Sequence, residues 1–275
     1  MHLNKFDIDS VAIGNFDGIH KGHQELLKNL TKNGALVVIE INETNLTPGS
    51  KREQYSHFPC FYYDFYLIKD MSGDEFVKML CKDFVNLKKI VVGYDFKFAK
   101  DRVCSGLDLK KLFDGEVIIV DEFKLNNVGV HSSDIKKLLK DGCIFEANNF
   151  LGRQYSIEGN IVQGQGIGKK ELYATLNLNA FGYFLPKDGV YATKTKVLNK
   201  IYNSVTFIGN RLTSDGNFAI ETHILDDFIK QKIETAEIFF VKYLRENLKF
   251  NSYEELKNQI SKDIQTTKIL LANLN

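Results

Sequence analysis

Residues 14–24, Gly-Asn-Phe-Asp-Gly-Ile-His-Lys-Gly-His-Gln, constrain this chain more than any other stretch. They follow the apolar run Val11-Ala12-Ile13 and lead into Leu26, Leu27 and Leu30, which recur at helical spacing. The pattern reads as a buried strand, a glycine-rich turn and the start of a helix. Glycines let backbone N–H groups come close to an anion, and the first turn of a helix presents the positive end of its dipole. His20 and His23 stand three apart, so their imidazoles share one face of that turn. Two imidazoles over an anion-binding turn suit chemistry at phosphate, where they steady a crowded α-phosphate as a nucleotide arrives or leaves. Two competing readings are a metal pair and ordinary surface histidines. No third ligand or Cys-x-x-Cys pair stands nearby for the first, and the fit of strand, turn and helix start together argues against the second.

Composition narrows the class. A chain of 275 residues is long enough for two modest domains or one large one. Hydrophobic residues make up 44% and charged residues 26%, from which a substantial core can form. A formal net charge of +1 gives no electrostatic case for binding nucleic acid or a membrane surface. Cys60, Cys81, Cys104 and Cys143 are widely spaced and show neither a zinc pattern nor a disulfide framework, so free thiols in a reducing compartment are expected. The polar N-terminus has no signal-peptide apolar region and no apolar run approaches membrane-spanning length, so a cytoplasmic location is expected. A monomer or weak homo-oligomer is the expected state.

The two halves follow different rules. Apolar runs at 36–41, 62–68, 89–92 and 117–120 read as buried strands, with helical segments at 24–30, 74–84, 107–113 and 133–140. Such alternation predicts a Rossmann-like parallel sheet with helices packed on it, and ligands bind beyond the carboxyl ends of its strands. After Leu151-Gly152-Arg153 come short alternating runs at 155–162, 189–197, 201–208, 218–225 and 234–242, separated by glycine, Asp and Asn. This predicts a small β-barrel. Ser252-x-x-Glu255 reads as a capping box, and Leu256, Ile260 and Ile264 predict a closing helix. The boundary falls between 141 and 155, giving domains 1–148 and 149–275.

Along almost its whole length the chain resembles the bacterial bifunctional riboflavin kinase/FAD synthetase family. Gly14-Asn15-Phe16-Asp17-Gly18 followed by His20-x-Gly22-His23 is the nucleotidyltransferase signature. Val92-Gly93-Tyr94-Asp95-Phe96-Lys97-Phe98 is similar to the family's Val-Gly-x-Asp-Phe-x-Phe-Gly. Ser132-Ser133-Asp134-Ile135-Lys136 stands where the family has Ser-Ser-Thr-x-Ile-Arg, with His131 in place of the first Ser. In the second half, Leu151-Gly152-Arg153-x-Tyr155-Ser156-Ile157, Asp188-Gly189-Val190-Tyr191-Ala192, Ile208-Gly209-x-Arg211 and Glu221-Thr222-His223-Ile224-Leu225 continue the match.

The resemblance implies riboflavin, FMN and ATP as substrates and Mg²⁺ as the ion that neutralises triphosphate charge. In the first domain it implies adenylyl transfer, with His20 and His23 steadying the transition state. Gly14, Asn15, Phe16, Asp17 and Gly18 would line the ATP pocket, while Ser132, Ser133 and Lys136 hold the leaving pyrophosphate. In the second it implies riboflavin phosphorylation. Gly164, Gly166 and Gly168 would arch over the nucleotide phosphates, and Thr175 and Asn177 would hold Mg²⁺ with them. Glu221 would be the general base, and Arg211 would lie near the flavin or phosphates.

Three departures stand out. The family's Phe-x-Pro-His-Pro and its long loop are missing after Glu40. Ala99 and Asp101 occupy the glycine positions of Phe-Gly-Lys-Gly-Arg. Leu172-Tyr173-Ala174-Thr175-Leu176-Asn177 replaces Gly-Phe-Pro-Thr-Ala-Asn, and Phe207 stands for an Asn. The alternatives these leave are a monofunctional riboflavin kinase with a degenerate transferase domain, or a non-catalytic flavin-binding regulatory protein.

Overall fold

In the computed structural model, residues 4–41, 44–162, 173–226 and 233–273 are described. They form two units, Met1–Asp134 and Ile135–Asn275.

The first unit runs β1 (Ser10–Gly14), α1 (Lys21–Leu27), β2 (Gly34–Glu40), α2 (Lys51–Ser56), β3 (Cys60–Asp64), α3 (Phe65–Ile68) and α4 (Gly73–Asp83). It continues with β4 (Lys89–Gly93), a hairpin of β5 (Lys97–Phe98) and β6 (Cys104–Ser105), α5 (Gly106–Leu112) and β7 (Glu116–Val120). A second hairpin, β8 (Lys124–Leu125) and β9 (Val128–Gly129), leads to α6 (Ser132–Lys140), which begins in this unit and continues into the second. The five longer strands make one parallel sheet in the order β3-β2-β1-β4-β7. The central stretches of β1, β2 and β4 are apolar at consecutive positions because both of their faces are covered. Val11, Ile13, Ala35 and Val37 point into a core with Phe76, Leu80 and Phe84, whereas Ala12, Leu36, Val38 and Val91 point into another with Phe16, Ile19 and Leu27. The chain moves outward from β1 through β2 to β3, then returns to β4 on the other side of β1. That reversal leaves a crevice at the carboxyl ends of β1 and β4.

One expected strand is corrected. The apolar run 62–68 is a strand only as far as Asp64, because the Asp64 carboxylate accepts a hydrogen bond from Tyr66 N at 2.8 Å and starts α3.

The second unit holds α7 (Ile144–Leu151), β10 (Ser156–Val162), β11 (Leu176–Asn179), β12 (Gly189–Val197), β13 (Lys200–Asn210), β14 (Phe218–Ile224), β15 (Thr235–Arg245) and α8 (Tyr253–Ala272). Its six strands close an antiparallel barrel in the order β10-β11-β14-β13-β12-β15. The closing helix is capped by Ser252, whose Oγ accepts from Glu255 N at 3.2 Å. It lays Ile260 and Ile264 against Val190, Val205 and Phe207, and Asp263 takes a forked hydrogen bond from Arg245 at 2.7 to 3.1 Å. On the other face of β12, β13 and β14 a cluster of hydroxyls lies beside Tyr191, Ile208 and Ile220. Thr193, Thr195, Ser204, Thr206 and Thr222 are all fully buried and hydrogen-bonded to one another at 2.7 to 3.2 Å.

Candidate functional site

The crevice of the first unit is a cavity of about 270 Å³. Three strand ends open into it: Gly14 of β1, Gly93 of β4 and Val120 of β7. Asn15, Phe16, His20, Gly22 and His23 form one wall, and Tyr94, Glu122, His131 and Ser132 stand among the others. His20 is the N-cap of α1, and its Nδ1 accepts from His23 N at 3.3 Å. That bond assigns the neutral imidazole's proton to Nε2. The two imidazoles stack at 3.6 Å between centroids, with Phe16 packed 5.1 Å from His23. A Cβ on Gly22 would meet the His20 ring at 3.1 Å and Val130 O at 3.2 Å, so the stack needs a glycine beneath it. Phe16 and Ile19 hold φ of +55° and +40°, the left-handed region that costs bulky residues about 1 to 3 kcal/mol. Complete burial of both side chains holds the turn in place.

Asp17 and Gly18 do not stand among the residues that line the cavity. The Asp17 carboxylate accepts from Leu46 N (2.7 Å) and Thr47 N (3.2 Å), Gly18 N donates to Thr47 Oγ1 (2.8 Å), and Ser132 Oγ donates to Asp17 O (2.7 Å). These bonds dock the shortened segment after β2 onto the signature turn. Asn15 Nδ2 donates to Ile39 O at 3.1 Å and joins the ends of β1 and β2. Ser133, second in α6, is exposed, and Lys136 places its ammonium 5.6 Å from the centre of the Phe184 ring. Ala99 and Asp101 take φ of +66° and +56°, so the glycine-like backbone persists without the glycines.

Sequence reasoning missed Glu122. Its carboxylate accepts from Tyr94 OH at 3.3 Å, pairs with His131 Nε2 at 3.4 Å and with Lys124 Nζ at 3.1 Å. The Lys124 hydrogen bond, more than any other contact, holds its carboxyl below the ordinary range. Partial burial, then the nearby Glu122 charge, pushes the Tyr94 hydroxyl up, so that side chain stays a donor.

In the barrel, Asn177 of β11 and Glu221 of β14 are directly opposed strand partners. Arg211, just past β13, reaches both: Nε donates to Glu221 Oε1 at 2.9 Å and Nη2 to Asn177 Oδ1 at 3.0 Å. Thr175 is exposed two residues before Asn177, on the same side of an extended chain. The frame that proline and glycine would supply is built otherwise. Tyr173 OH bonds Ser261 Oγ of α8 at 2.9 Å, and the His223 ring bonds Ala174 O at 2.8 Å while packing 5.1 Å from the Tyr173 ring. Gly164, Gly166 and Gly168 lie outside the described residues.

Comparison with known proteins decides between families. A riboflavin kinase family model matches residues 151–271, and an FAD synthetase model matches 5–40. A bifunctional riboflavin kinase/FMN adenylyltransferase of Buchnera aphidicola from Schizaphis graminum is 30% identical over 97% of this chain and 96% of its own. The chain belongs to the bifunctional riboflavin kinase/FMN adenylyltransferase family. A second member, from Buchnera aphidicola of Acyrthosiphon pisum, is 32% identical over 92% of this chain and 90% of that one. A crystal structure described as a macrolide-efflux protein from Streptococcus pneumoniae shares the fold with a TM-score of 0.84 and 29% identity, over 97% of both chains. Among the described residues no helix is long and apolar enough to cross a membrane.

Proposed function

We propose that this member of the bifunctional family phosphorylates riboflavin to FMN in its barrel and adenylylates FMN to FAD in its parallel-sheet unit. Members align with it across both halves, which favours two activities over a lone kinase or a non-catalytic flavin binder. For the sites, the observation that carries the reading is the pairing of a carboxylate and an amide oxygen, Glu221 and Asn177, across neighbouring strands at the barrel edge. The kinase module proper begins at about residue 149, near the start of the riboflavin kinase match.

In the kinase step Glu221 takes the proton of the ribityl 5′-hydroxyl. The freed oxygen bonds to the γ-phosphorus of ATP, and the bond to the β–γ bridging oxygen breaks to release ADP. Thr175 and Asn177 offer a hydroxyl and an amide oxygen, hard donors suited to Mg²⁺. Among the described residues no group of three or more His, Cys, Asp or Glu could hold a metal alone. Two hard oxygen donors fit an ion that would arrive with nucleotide phosphates and neutralise their charge. In the transferase step an FMN phosphate oxygen bonds to the α-phosphorus of ATP and pyrophosphate leaves. Nε2–H of His20, presented by its capping bond, steadies the charge on the α-phosphate with His23 beside it. Ser132 lines the same cavity, and we assign the grip on the departing pyrophosphate to it with Ser133 and Lys136, which follow in the chain. Lysine there supplies a point charge where the family's arginine has a fork. We place the chain in the cytoplasm as a monomer or weak homo-oligomer.

The test is a chromatographic time course with ATP and Mg²⁺, one reaction started from riboflavin and one from FMN. FMN then FAD in the first, and FAD in the second, are expected. FMN accumulating without FAD refutes the transferase half, and absence of both products refutes the whole reading.

A further inference from the structure

Arg211 stands where the elements of the proposed kinase chemistry meet. Its guanidinium places Nε and Nη2 each 2.9 Å from Glu221 Oε1, Nη2 3.0 Å from Asn177 Oδ1, and Nη1 3.4 Å from Asp215 Oδ2. One planar fork thus occupies the two oxygens on which the kinase reading depends, the base and the amide ligand. The side chain is largely shielded from water, at 17% exposed, and so is Glu221, at 26%. Charge interactions there are stronger than in bulk solvent. A guanidinium donating to an amide oxygen and a dication binding that same oxygen would stand within a few ångströms of each other. Their repulsion makes the two occupancies of Asn177 Oδ1 mutually exclusive.

We propose, on the basis of the kinase reading above, that Arg211 is a positioning residue that aligns Glu221 with Asn177 and is exchanged off Asn177 when the magnesium–nucleotide arrives. In the nucleotide-free barrel the arginine is a stand-in cation: it orients the carboxylate and engages the amide oxygen that the metal would take. On exchange one positive charge replaces another, so Glu221 never faces an uncompensated site. Asp215 tethers the released fork through Nη1.

The test is calorimetric titration of the full chain with ADP at several magnesium concentrations, for wild type, Arg211→Lys and Arg211→Met. The barrel component is the heat that disappears in Asn177→Ala. Lysine keeps the charge but cannot bridge two oxygens with a planar fork, whereas methionine keeps much of the stem and loses the charge. Exchange predicts that both variants bind ADP with magnesium roughly tenfold more tightly than wild type, the order of one charge-assisted hydrogen bond. Without magnesium neither variant gains, and kcat for FMN formation falls in both as Glu221 loses its alignment. Unchanged or weaker binding with magnesium in both variants overturns the proposal. So does a gain in the methionine variant with none in the lysine variant, since charge alone would then account for it. A wild type that neither binds ADP with magnesium nor phosphorylates riboflavin refutes the kinase reading itself.

Discussion

Replacing His20 separates chemistry from architecture within one side chain. The two ring nitrogens separate the questions: Nδ1 accepts from His23 N at 3.3 Å and caps α1, while Nε2 is the nitrogen to which the proposed transition-state contact is assigned. Asparagine places an amide oxygen near the Nδ1 position, so His20→Asn keeps the cap and deletes the second nitrogen. Alanine deletes both. Losing a donor to a transition-state oxygen costs about 10² to 10³ in kcat, or about 3 to 4 kcal/mol. Losing an N-cap costs about 1 kcal/mol of local stability. The asparagine variant should therefore lose about 10²- to 10³-fold in FAD formation from FMN and ATP, with thermal stability near wild type. The alanine variant should show the same kinetic loss and a lower unfolding midpoint. Riboflavin phosphorylation by the same preparations is the internal control and should stay within about twofold, since neither variant touches the barrel. Product chromatography of both reactions reads the outcome. FAD formation within about threefold of wild type in His20→Asn would refute a chemical role for the ring. A parallel fall in both activities would show that the loss is one of folding.

Further expectations concern other parts of the chain. Glu221→Gln keeps the shape of the group that Arg211 grips but removes its basicity, so FMN formation should fall by about 10²-fold or more while FAD formation from supplied FMN is unchanged; a drop of less than threefold in the kinase assay would remove Glu221 as base. Asp263→Ala strands Arg245 at the end of β15 without its forked partner and should cost the barrel about 3 kcal/mol in urea unfolding, and a loss under about 0.5 kcal/mol would contradict the burial argument. Burial, reinforced by Glu53, pushes the Cys60 thiol up to about 12. The direction is upward, so the thiolate is scarce at pH 8, about 10⁻⁴ of the population, and becomes abundant only as pH approaches that value. Iodoacetamide at pH 8 should spare Cys60 in the native chain and modify it after unfolding; mass spectrometry showing rapid native labelling would refute this.

Much of the sheet unit was legible because its signals are local. Val11-Ala12-Ile13 and 36–39 are apolar at every position, the mark of a strand covered on both faces, and the turn after β1 carries its glycines and histidines in one continuous run. The end of β3 was not legible, since Phe65-Tyr66-Leu67-Ile68 prolongs the apolar run and only the Asp64 side chain stops the strand. The four residues of β11, Leu176-Asn177-Leu178-Asn179, alternate apolar and polar, but so short a run does not mark a strand alone; β10 and β14 on either side make them one. Tyr94, Glu122 and His131 come from three separate segments and meet only because β4 and β7 are neighbours in the sheet. The Arg211 contact was hidden for the same reason. It depends on which strand lies beside β14, and no stretch of sequence near Arg211 encodes that.

The buried hydroxyls of β12, β13 and β14 bear on how the barrel avoids assembling wrongly. Thr193 faces Ser204, and Thr206 faces Thr222, as direct partners across the strands. A slip of one residue between any two of these strands would turn one set of hydroxyls outward and leave the facing set against Val190, Val205 or Phe207. Each hydroxyl stranded in that way costs about 1 to 3 kcal/mol, so a slipped strand carrying two of them forfeits a large share of a small domain's stability. An all-aliphatic interior would tolerate several registers almost equally well. Here the polar rungs act as a proofreading device for closure, penalising each misalignment that the apolar effect alone would overlook.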